Sequence, residues 1–274
     1  MKAIICTKYG PPEVLQIRNV EKPAPRKDEV CIKVLAAAVT ASDCIIRGFS
    51  VPPRMRLPMQ LVIGFTRPRQ PILGMVLAGE VESTGSSVKS LKAGDYVFGM
   101  NISQFGAYAE YVCWRENTLA LKPSNITCVE AAAMPYGGLI ALSYLKKGKV
   151  QAGQKVLIYG ASGANGTAAV QLARCLGANV SGVCSTANLE MVESLGAGRV
   201  FDYTREDIAG SGETYDFIFD AVGKRKSDHV NFKRLLAPGG KFISVDNGAP
   251  RLSLENLNFL TTLIEAGQIK AVID

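Results

Sequence analysis

The 274-residue sequence has one histidine, one tryptophan and seven scattered cysteines, none of them in a C-x-x-C pair. In a chain of this length, that pattern is typical of reduced thiols rather than a disulfide framework, so we expect a cytoplasmic protein. A catalytic zinc needs about three ligands drawn from Cys, His and acidic residues. Because the single histidine, His229, lies in a predicted helix and no cysteine pair is present, we predict no metal.

The sequence also lacks an apolar stretch long enough to cross a bilayer without a charge, and its first residues do not have the form of a signal peptide. The net charge is +7, but Lys and Arg are spread along the chain without a dense basic run. This distribution favours a phosphorylated small ligand over nucleic acid. We therefore expect neither a membrane nor a nucleic acid as a partner.

The sequence pattern of residues 1–122 predicts a β-rich domain. Many short strands separated by Gly and Pro turns are typical of a barrel or a sandwich. Strands are predicted at 2–6, 14–17, 29–34 and 76–82, a turn and strand at 94–99, a further strand over 105–112, and a short helix at 44–47. Frequent prolines and arginines over 51–71 predict an irregular excursion, which is a candidate lid.

Beyond residue 123 the pattern changes to helix and strand in alternation, which is typical of an α/β doubly wound parallel sheet. A helix is predicted over 129–145, with an interruption at Met134 and Pro135. We place the α/β domain at 123–250, with strands at 156–159, 179–184, 199–202, 216–220 and 240–246 and helices at 167–176, 188–195, 205–209 and 226–236. A final helix at 252–267 and a final strand at 269–273 follow.

A strand, a glycine turn and a helix follow one another between residues 155 and 177. The glycines stand at intervals of three after the apolar strand. Small residues let the backbone approach a ligand, and free N–H groups at a helix start face an anion. The pattern predicts a phosphate site at Gly160, Ser162, Gly163, Ala164, Asn165 and Gly166. The alternative is a tight turn that binds nothing.

The end of the second strand of this domain indicates the nucleotide. In dinucleotide folds an acidic residue there holds the ribose 2′-OH of NAD. Here the strand is followed by Ser185, Thr186 and Asn188, with no carboxylate to repel a 2′-phosphate, so NADPH is favoured over NADH. Tyr203 and Arg205, after the third strand, are placed to close over the same phosphate. A helix N-cap formed by the residues at 185–188 is the alternative, and both roles can coexist.

Nucleophilic catalysis finds little support in the sequence. The run Gly160-Ala161-Ser162-Gly163 does not meet the G-x-S-x-G pattern of serine hydrolases. Cys44 has no histidine nearby to activate it, which favours a structural thiol.

These residues together resemble the zinc-free quinone oxidoreductase (zeta-crystallin-like) branch of the medium-chain dehydrogenase/reductase family. The matching segments are 40–43, 71–81, 94–99, 106–111, 131–135, 160–166, 182–186, 220–223 and 238–241. The resemblance implies a GroES-like catalytic domain at 1–122, a Rossmann NADP-binding domain at 123–250, a cleft between them and a homodimer. It also implies NADPH-dependent reduction of quinones or α,β-unsaturated carbonyls (enones).

The resemblance also implies roles for individual residues. The zinc branch would need a Cys near Thr40 and a G-H-E motif near Gly74, and neither is present. Without a Lewis acid, reduction relies on acceptors that delocalise negative charge as the hydride arrives. The protein then contributes proximity, orientation and hydrogen bonds to the developing charge on oxygen. We predict that Thr40 donates to the acceptor carbonyl, Asp43 organises the site, Tyr136 lines the cleft, and Ala221 and Val222 contact the cofactor. The alternatives are a helix cap formed by Thr40 and Asp43, and a core role for Tyr136.

The sequence departs from the family pattern at two places. Ala187 is neutral where relatives often carry Lys or Arg for the 2′-phosphate. The chain also stops at Asp274, so we expect 251–274 to be the start of a truncated C-terminal return segment, with an exposed strand edge at 269–273. A nucleotide-binding protein with little or no turnover is therefore the alternative function.

Overall fold

The computed structural model describes residues 1–273, without the side chain of Arg54. The chain divides into two compact units, one formed by Met1–Pro135 together with Ile273 and the other by Tyr136–Val272. The division lies inside one long helix, Cys128–Gly148. The domain ranges proposed from the sequence stay a prediction.

The first unit is built on antiparallel strands, as its β-rich sequence indicates. In chain order the strands are β1 Lys2–Cys6, β2 Leu15–Asn19, β3 Glu29–Ala37, β4 Val76–Thr84, β5 Tyr96–Met100, β6 Tyr111–Arg115 and β7 Leu119–Leu121. Strands β1 and β2 pair with each other, while the other five form a sheet with the order β6-β3-β4-β5-β7. Helix α1, Ala41–Gly48, follows β3.

One face of the five-stranded sheet forms the core of the first unit. Val30 and Ile32 of β3 pair with Trp114 and Val112 of β6. All four side chains are buried in the same apolar cluster. Because side chains alternate along a strand, the residues between them lie on the other face of the sheet.

The prediction of an irregular segment over 51–71 is wrong for the central part of that range. A 3₁₀ turn, Pro53–Met55, leads into helix α2, Arg56–Ile63. Pro58 lies in the first turn of this helix, where a missing N–H costs little, so the proline does not prevent the helix. The apolar side chains of Leu57, Leu61 and Val62 are more than half exposed.

The strand predicted over 105–112 is also shorter than expected, because β6 begins at Tyr111. Phe105 and Gly106 have φ angles of 50° and 98°, which interrupt an extended chain. A Cβ on Gly106 would lie 2.8 Å from the Val112 side chain, so the close turn needs glycine.

Helix α3, Cys128–Gly148, continues through Pro135, where the sequence predicted an interruption. By length and composition alone, α3 meets the requirements of a membrane-spanning helix. However, 67% of its most apolar window is buried within the protein. Core helices pass the same test, so this composition is weak evidence for a membrane.

The second unit contains the predicted parallel sheet, which confirms the α/β fold class. Its strands are β8 Lys155–Tyr159, β9 Asn179–Cys184, β10 Arg199–Asp202, β11 Tyr215–Asp220 and β12 Leu236–Ser244, and its further helices are α4 Ala164–Cys175, α5 Leu189–Ser194, α6 Lys224–Ser227 and α7 Leu254–Glu265. The strand order is β10-β9-β8-β11-β12, with every pair parallel. The loops after β8, β9, β10 and β11 therefore leave the sheet at the same edge, where α/β sheets bind ligands.

Two helices predicted in the second unit are wrong in extent. In place of a helix over 226–236, α6 ends at Ser227, a 3₁₀ turn covers Phe232–Leu235, and β12 begins at Leu236. The intervening Asp and Asn residues favour turns over helix. In place of a helix over 205–209 there is a 3₁₀ turn, Ile208–Gly210, capped by the Asp207 carboxylate.

The strand predicted at 269–273 is absent from the described chain. The Gln171 side chain accepts a hydrogen bond from the Lys270 N–H (2.8 Å) and donates one to the Lys270 carbonyl (3.1 Å). A side-chain amide thus satisfies the backbone groups that a neighbouring strand would otherwise bind.

Tyr144 gives a test of how α3 is held in the second unit. Its hydroxyl lies 2.8 Å from the Val245 carbonyl and 2.6 Å from that of Gly248, and the residue is 2% exposed. Because two carbonyl groups would lose the donor that a buried tyrosine supplies, we expect Tyr144→Phe to lower the free energy of unfolding by about 1–2 kcal/mol. Urea denaturation followed by circular dichroism measures this loss. Tyr96→Phe, at a ring that is 46% exposed, is the matched control, and equal losses would contradict the assignment.

Candidate functional site

The glycine turn joins β8 directly to α4. Gly160 follows the buried strand with a φ of 81°, and a Cβ there would lie 2.2 Å from the Val222 side chain. A Cβ on Gly166 would lie 2.0 Å from the Gly160 carbonyl oxygen. The turn therefore packs against both the start of α4 and the loop after β11, and only glycine allows these approaches.

The N-terminus of α4 is open on the outer side of this turn. Gly163 is the N-cap and supplies no side-chain hydrogen bond to the first turn, Ala164 to Gly166. A Cβ on Gly163 would meet nothing nearer than the Gly160 carbonyl oxygen, 3.7 Å away. The first N–H groups of a helix have no acceptor within the helix, so this end is suited to an anion.

Asn165, in the first turn of α4, adds an acceptor. Its Oδ1 atom is buried and has no hydrogen-bond partner in the described part of the chain. A buried polar atom without a partner is costly, and a ligand hydroxyl or amide donor would satisfy it. Together with half-buried Ser162, the turn offers donors for a pyrophosphate and an acceptor for a ribose hydroxyl or a carboxamide.

Asp220, at the end of β11, holds the loop that contains Ala221 and Val222. It is fully buried, and its carboxylate accepts hydrogen bonds from Val222 N–H (3.2 Å), Gly223 N–H (3.1 Å) and Ser227 Oγ (2.9 Å). These bonds fix the loop that reaches Gly160. No role was predicted for Asp220, although an acid at the end of an apolar strand, shortly before a glycine, was a signal for one.

The residues after β9 form a 3₁₀ turn, Thr186–Asn188. Ser185 and Asn188 stand at N-cap positions, but neither side chain caps a helix. The Asn188 amide instead donates to the Ser185 hydroxyl over 3.1 Å. The N-cap alternative is therefore not realised, and these polar side chains lie at the ligand edge of the sheet.

The premise that no carboxylate lies near Thr186 is wrong. Asp202 ends β10 beside Cys184 of β9, and the Thr186 hydroxyl donates to its Oδ2 atom over 2.5 Å. Thr204 donates to Oδ1 from its hydroxyl and from its N–H. Asp202 was missed because it belongs to the next strand, and only the parallel pairing brings it alongside.

The charge of Asp202 is well compensated in this position. Hydrogen bonds from Thr186 and then from Thr204 lower the pKa of the carboxyl, so it stays ionised, and the Arg205 guanidinium lies 3.6 Å away. Asp202 is 5% exposed, whereas Tyr203 is 55% exposed and the Arg205 side chain 74%. A ligand at this edge thus meets a phenol and a guanidinium, with the carboxylate beneath them.

In the first unit, Thr40 and Asp43 form a capping box at the start of α1. The Asp43 Oδ2 atom accepts from the Thr40 N–H (2.9 Å) and from its hydroxyl (2.6 Å). Oδ1 accepts from the Gly74 N–H over 3.2 Å. The cap alternative is therefore present, and the single hydroxyl proton of Thr40 is directed at Asp43. The catalytic roles predicted for the two residues stay predictions.

Tyr108, for which no role was predicted, is a neighbour of this pair. Its hydroxyl contacts the Asp43 carboxylate and lies 3.4 Å from the Ala38 carbonyl oxygen, and its ring covers Gly74. Burial, and then the negative charge of Asp43, raise the pKa of the phenol far above its usual value. The Tyr108 hydroxyl therefore stays protonated at neutral pH and can donate a hydrogen bond.

Tyr136 lies in the second unit, half-buried on α3. The next residue, Gly137, packs so closely on the start of α4 that a Cβ there would lie 2.2 Å from the Ala164 carbonyl oxygen. The structure thus places Tyr136 on the helix that supports the glycine turn, while Thr40 and Asp43 belong to the first unit. Whether Tyr136 lines a cleft stays a prediction.

His229, the one histidine, approaches Tyr159, with Nε2 3.4 Å from the phenol oxygen, and its side chain is 64% exposed. Within residues 1–273 there is no group of three His, Cys, Asp or Glu side chains that could hold a metal ion. The absence of a metal from the protein stays a prediction.

Comparison with known proteins gives consistent matches over both units. Residues 26–124 match the family described as "Alcohol dehydrogenase GroES-like domain", and residues 164–268 match "Zinc-binding dehydrogenase". The chain is 34% identical to a 2-methylene-furan-3-one reductase of Solanum lycopersicum, over 100% of this chain and 71% of the relative. It is 33% identical to a chloroplastic NADPH-dependent alkenal/one oxidoreductase of Arabidopsis thaliana, over 100% and 72%.

Among solved structures, the quinone oxidoreductase of Coxiella burnetii is similar, with a TM-score of 0.81 and 27% identity. The alignment covers 100% of this chain and 90% of that structure. The match confirms the fold class, with a GroES-like first part and a Rossmann-like parallel sheet.

Gly163 offers a test of the anion site that spares the fold. Because a Cβ there meets open space, we expect Gly163→Ala to keep the thermal midpoint and to place a methyl group where a phosphate would approach. Loss of one charge-assisted hydrogen bond, about 1.5–3 kcal/mol, weakens nucleotide binding roughly tenfold or more. Isothermal titration with NADPH measures this change. Gly198→Ala, where the nearest atom is 3.9 Å away, should bind normally, and normal binding by Gly163→Ala would contradict the site.

Proposed function

Since the chain belongs to the medium-chain dehydrogenase/reductase family, we propose that it is an NADPH-dependent reductase that transfers hydride to quinones or α,β-unsaturated carbonyls. The observation that carries this proposal is the open N-terminus of α4 beside the unpartnered Asn165 acceptor. That donor and acceptor set fits a dinucleotide. Relatives named as alkenal/one, furanone and quinone reductases support the acceptor class.

The residues that would hold the cofactor follow the ligand edge of the parallel sheet. Backbone N–H groups at Ala164 to Gly166 would bind the pyrophosphate, and the Asn165 oxygen would accept from a hydroxyl or an amide. The loop with Ala221 and Val222, held by Asp220, would pack against the cofactor. When bound, the nicotinamide supplies the hydride.

The choice of NADPH over NADH rests on the residues after β9 and β10. Ser185 and Asn188 offer polar side chains, and Tyr203 and Arg205 are exposed beside them. Asp202 is a carboxylate in this region. It accepts hydrogen bonds from Thr186 and Thr204 and lies beside the Arg205 guanidinium, so its negative charge is compensated. The exposed guanidinium then favours a 2′-phosphate.

Metal independence is the second part of the proposal. His229 is exposed and has the Asp228 carboxylate 3.8 Å from its Nδ1 atom, but within residues 1–273 no third ligand completes a zinc set. Quinones and enones spread the charge that develops on their oxygen, so hydrogen-bond donors suffice to stabilise it. In the first unit, the hydroxyl groups of Thr40 and Tyr108 lie beside Asp43. A homodimer remains a prediction of the family resemblance, and a cytoplasmic location remains a prediction from the scattered cysteines.

The proposal is tested by NADPH oxidation with a quinone, an enone and a simple aldehyde, each repeated with NADH and with a metal chelator. We expect turnover of the quinone or the enone, a preference for NADPH, and no effect of the chelator. Loss of activity with the chelator would overturn the metal-free chemistry. Tight NADPH binding without turnover of any acceptor would overturn the reductase and support a nucleotide-binding protein.

Arg205 tests the cofactor preference. In Arg205→Gln the 2′-phosphate loses a cationic partner and Asp202 loses its neighbouring charge. We expect the KM for NADPH to rise about tenfold while the KM for NADH stays within about twofold, because one charge-assisted contact is worth at least 1.4 kcal/mol. Arg115→Gln, which removes an exposed ion pair with Asp28 in the first unit, is the control. An equal change with both cofactors would contradict the role.

A further inference from the structure

Two of the seven cysteines lie directly opposite each other in the antiparallel sheet of the first unit. Cys31 of β3 pairs with Cys113 of β6. The residues on either side of each cysteine face the apolar core, so the two thiols share the outer face of the sheet. The other sheet cysteines have different partners, because Cys6 pairs with Leu15 and Cys184 with Asp202.

The ladder brings these two cysteines close together. The Val34 N–H donates to the Glu110 carbonyl over 2.9 Å. Hydrogen-bonded and non-hydrogen-bonded pairs alternate along an antiparallel ladder, so the pair of Cys31 and Cys113, three positions away, is non-hydrogen-bonded. Backbones approach most closely at such pairs, with Cα atoms about 4.5 Å apart. Disulfides span Cα separations of about 4.4–6.8 Å, so closure needs little backbone movement.

Polar groups cover Cys31 on this outer face. The Cys31 thiol is 1% exposed and lies 3.6 Å from the Glu82 carboxylate and 3.8 Å from the Pro23 carbonyl. Lys22 forms an ion pair with Glu82. Cys113 is half-buried, so solvent reaches the pair from its side.

The two thiols have different proton affinities. The neighbouring Cys113 thiol lowers the pKa of Cys31, while burial and the Glu82 carboxylate act in the opposite direction. The Cys31 thiol and burial raise the pKa of Cys113. Cys31 is thus the more acidic thiol of the pair and Cys113 the less acidic one, the order expected of a nucleophilic and a resolving cysteine.

We propose that Cys31 and Cys113 are a modification site, a dithiol that a hydroperoxide oxidises to a cross-strand disulfide and that a small dithiol reduces again. Cys31 gives up its thiol proton and its sulfur attacks the peroxide. The O–O bond breaks, and Cys31 becomes a sulfenic acid while the remainder takes up a proton and leaves as an alcohol or water. The Cys113 sulfur then gives up its proton and attacks Cys31, which forms the S–S bond and releases water. The two sulfurs lose two electrons and the peroxide gains them.

The experiment uses the full chain in its native state, treated with hydrogen peroxide and then denatured with a thiol-alkylating reagent. We expect the count of free thiols to fall by two from seven. Trypsin should release residues 28–33 joined to residues 93–115, because no Lys or Arg stands inside either segment. Dithiothreitol should restore both thiols. Because the link is mapped in the unsubstituted protein, the test does not depend on a variant that folds.

Variants sharpen this test. Cys31→Ser and Cys113→Ser should each abolish the cross-link, and Cys113→Ser should leave a sulfenic acid at Cys31 that dimedone traps. Cys175→Ser, which removes an exposed helical thiol, should form the link as the unsubstituted chain does. A link between any other cysteines, oxidation of Cys113 to sulfinic acid without a link, or unchanged thiol counts would overturn the proposal.

Discussion

The second unit depends on one close backbone approach, that of Gly166 to the carbonyl of Gly160. A Cβ at position 166 would lie 2.0 Å from that carbonyl oxygen. Only glycine therefore lets α4 begin directly beyond the buried strand β8. The same turn leaves no room for a side chain opposite Val222. Two further elements, α3 at Gly137 and the loop after β11, pack against it. The open helix end that a dinucleotide needs is thus a consequence of backbone packing.

Three buried aspartates position the loops that carry the remaining candidate residues. Asp43 fixes the start of α1 and the backbone at Gly74, Asp220 fixes the loop after β11, and Asp202 joins Thr186 to Thr204. A buried carboxylate is tolerated because it accepts several hydrogen bonds, each worth about 1.5–3 kcal/mol. The three aspartates therefore act by holding neighbouring loops and helix starts in place. The capping box also means that Thr40 must redirect its hydroxyl from Asp43 before it can donate to an acceptor.

Some elements could be predicted from the sequence with their ends nearly correct, and others could not. The run from β8 to α4 is local, because an apolar strand, a glycine turn and a helical pattern lie within about twenty residues of each other. Helix α2 escaped prediction because Pro58 reads as a breaker, although the first turn tolerates it. The segment 269–273 has strand-like residues, yet Gln171, far away in sequence, binds the backbone of Lys270.

The sequence by itself determined the α/β and β-rich parts, the glycine turn and the family, because these follow from local patterns of side-chain size and polarity. Tertiary structure decided which groups meet at strand ends and across strands. Asp202 stands beside Thr186 only through the parallel pairing of β9 and β10, and Cys31 faces Cys113 only through the register of β3 and β6. Such contacts join residues that are far apart in the sequence. They are fixed by backbone hydrogen bonds between strands, and no local sequence pattern encodes that pairing.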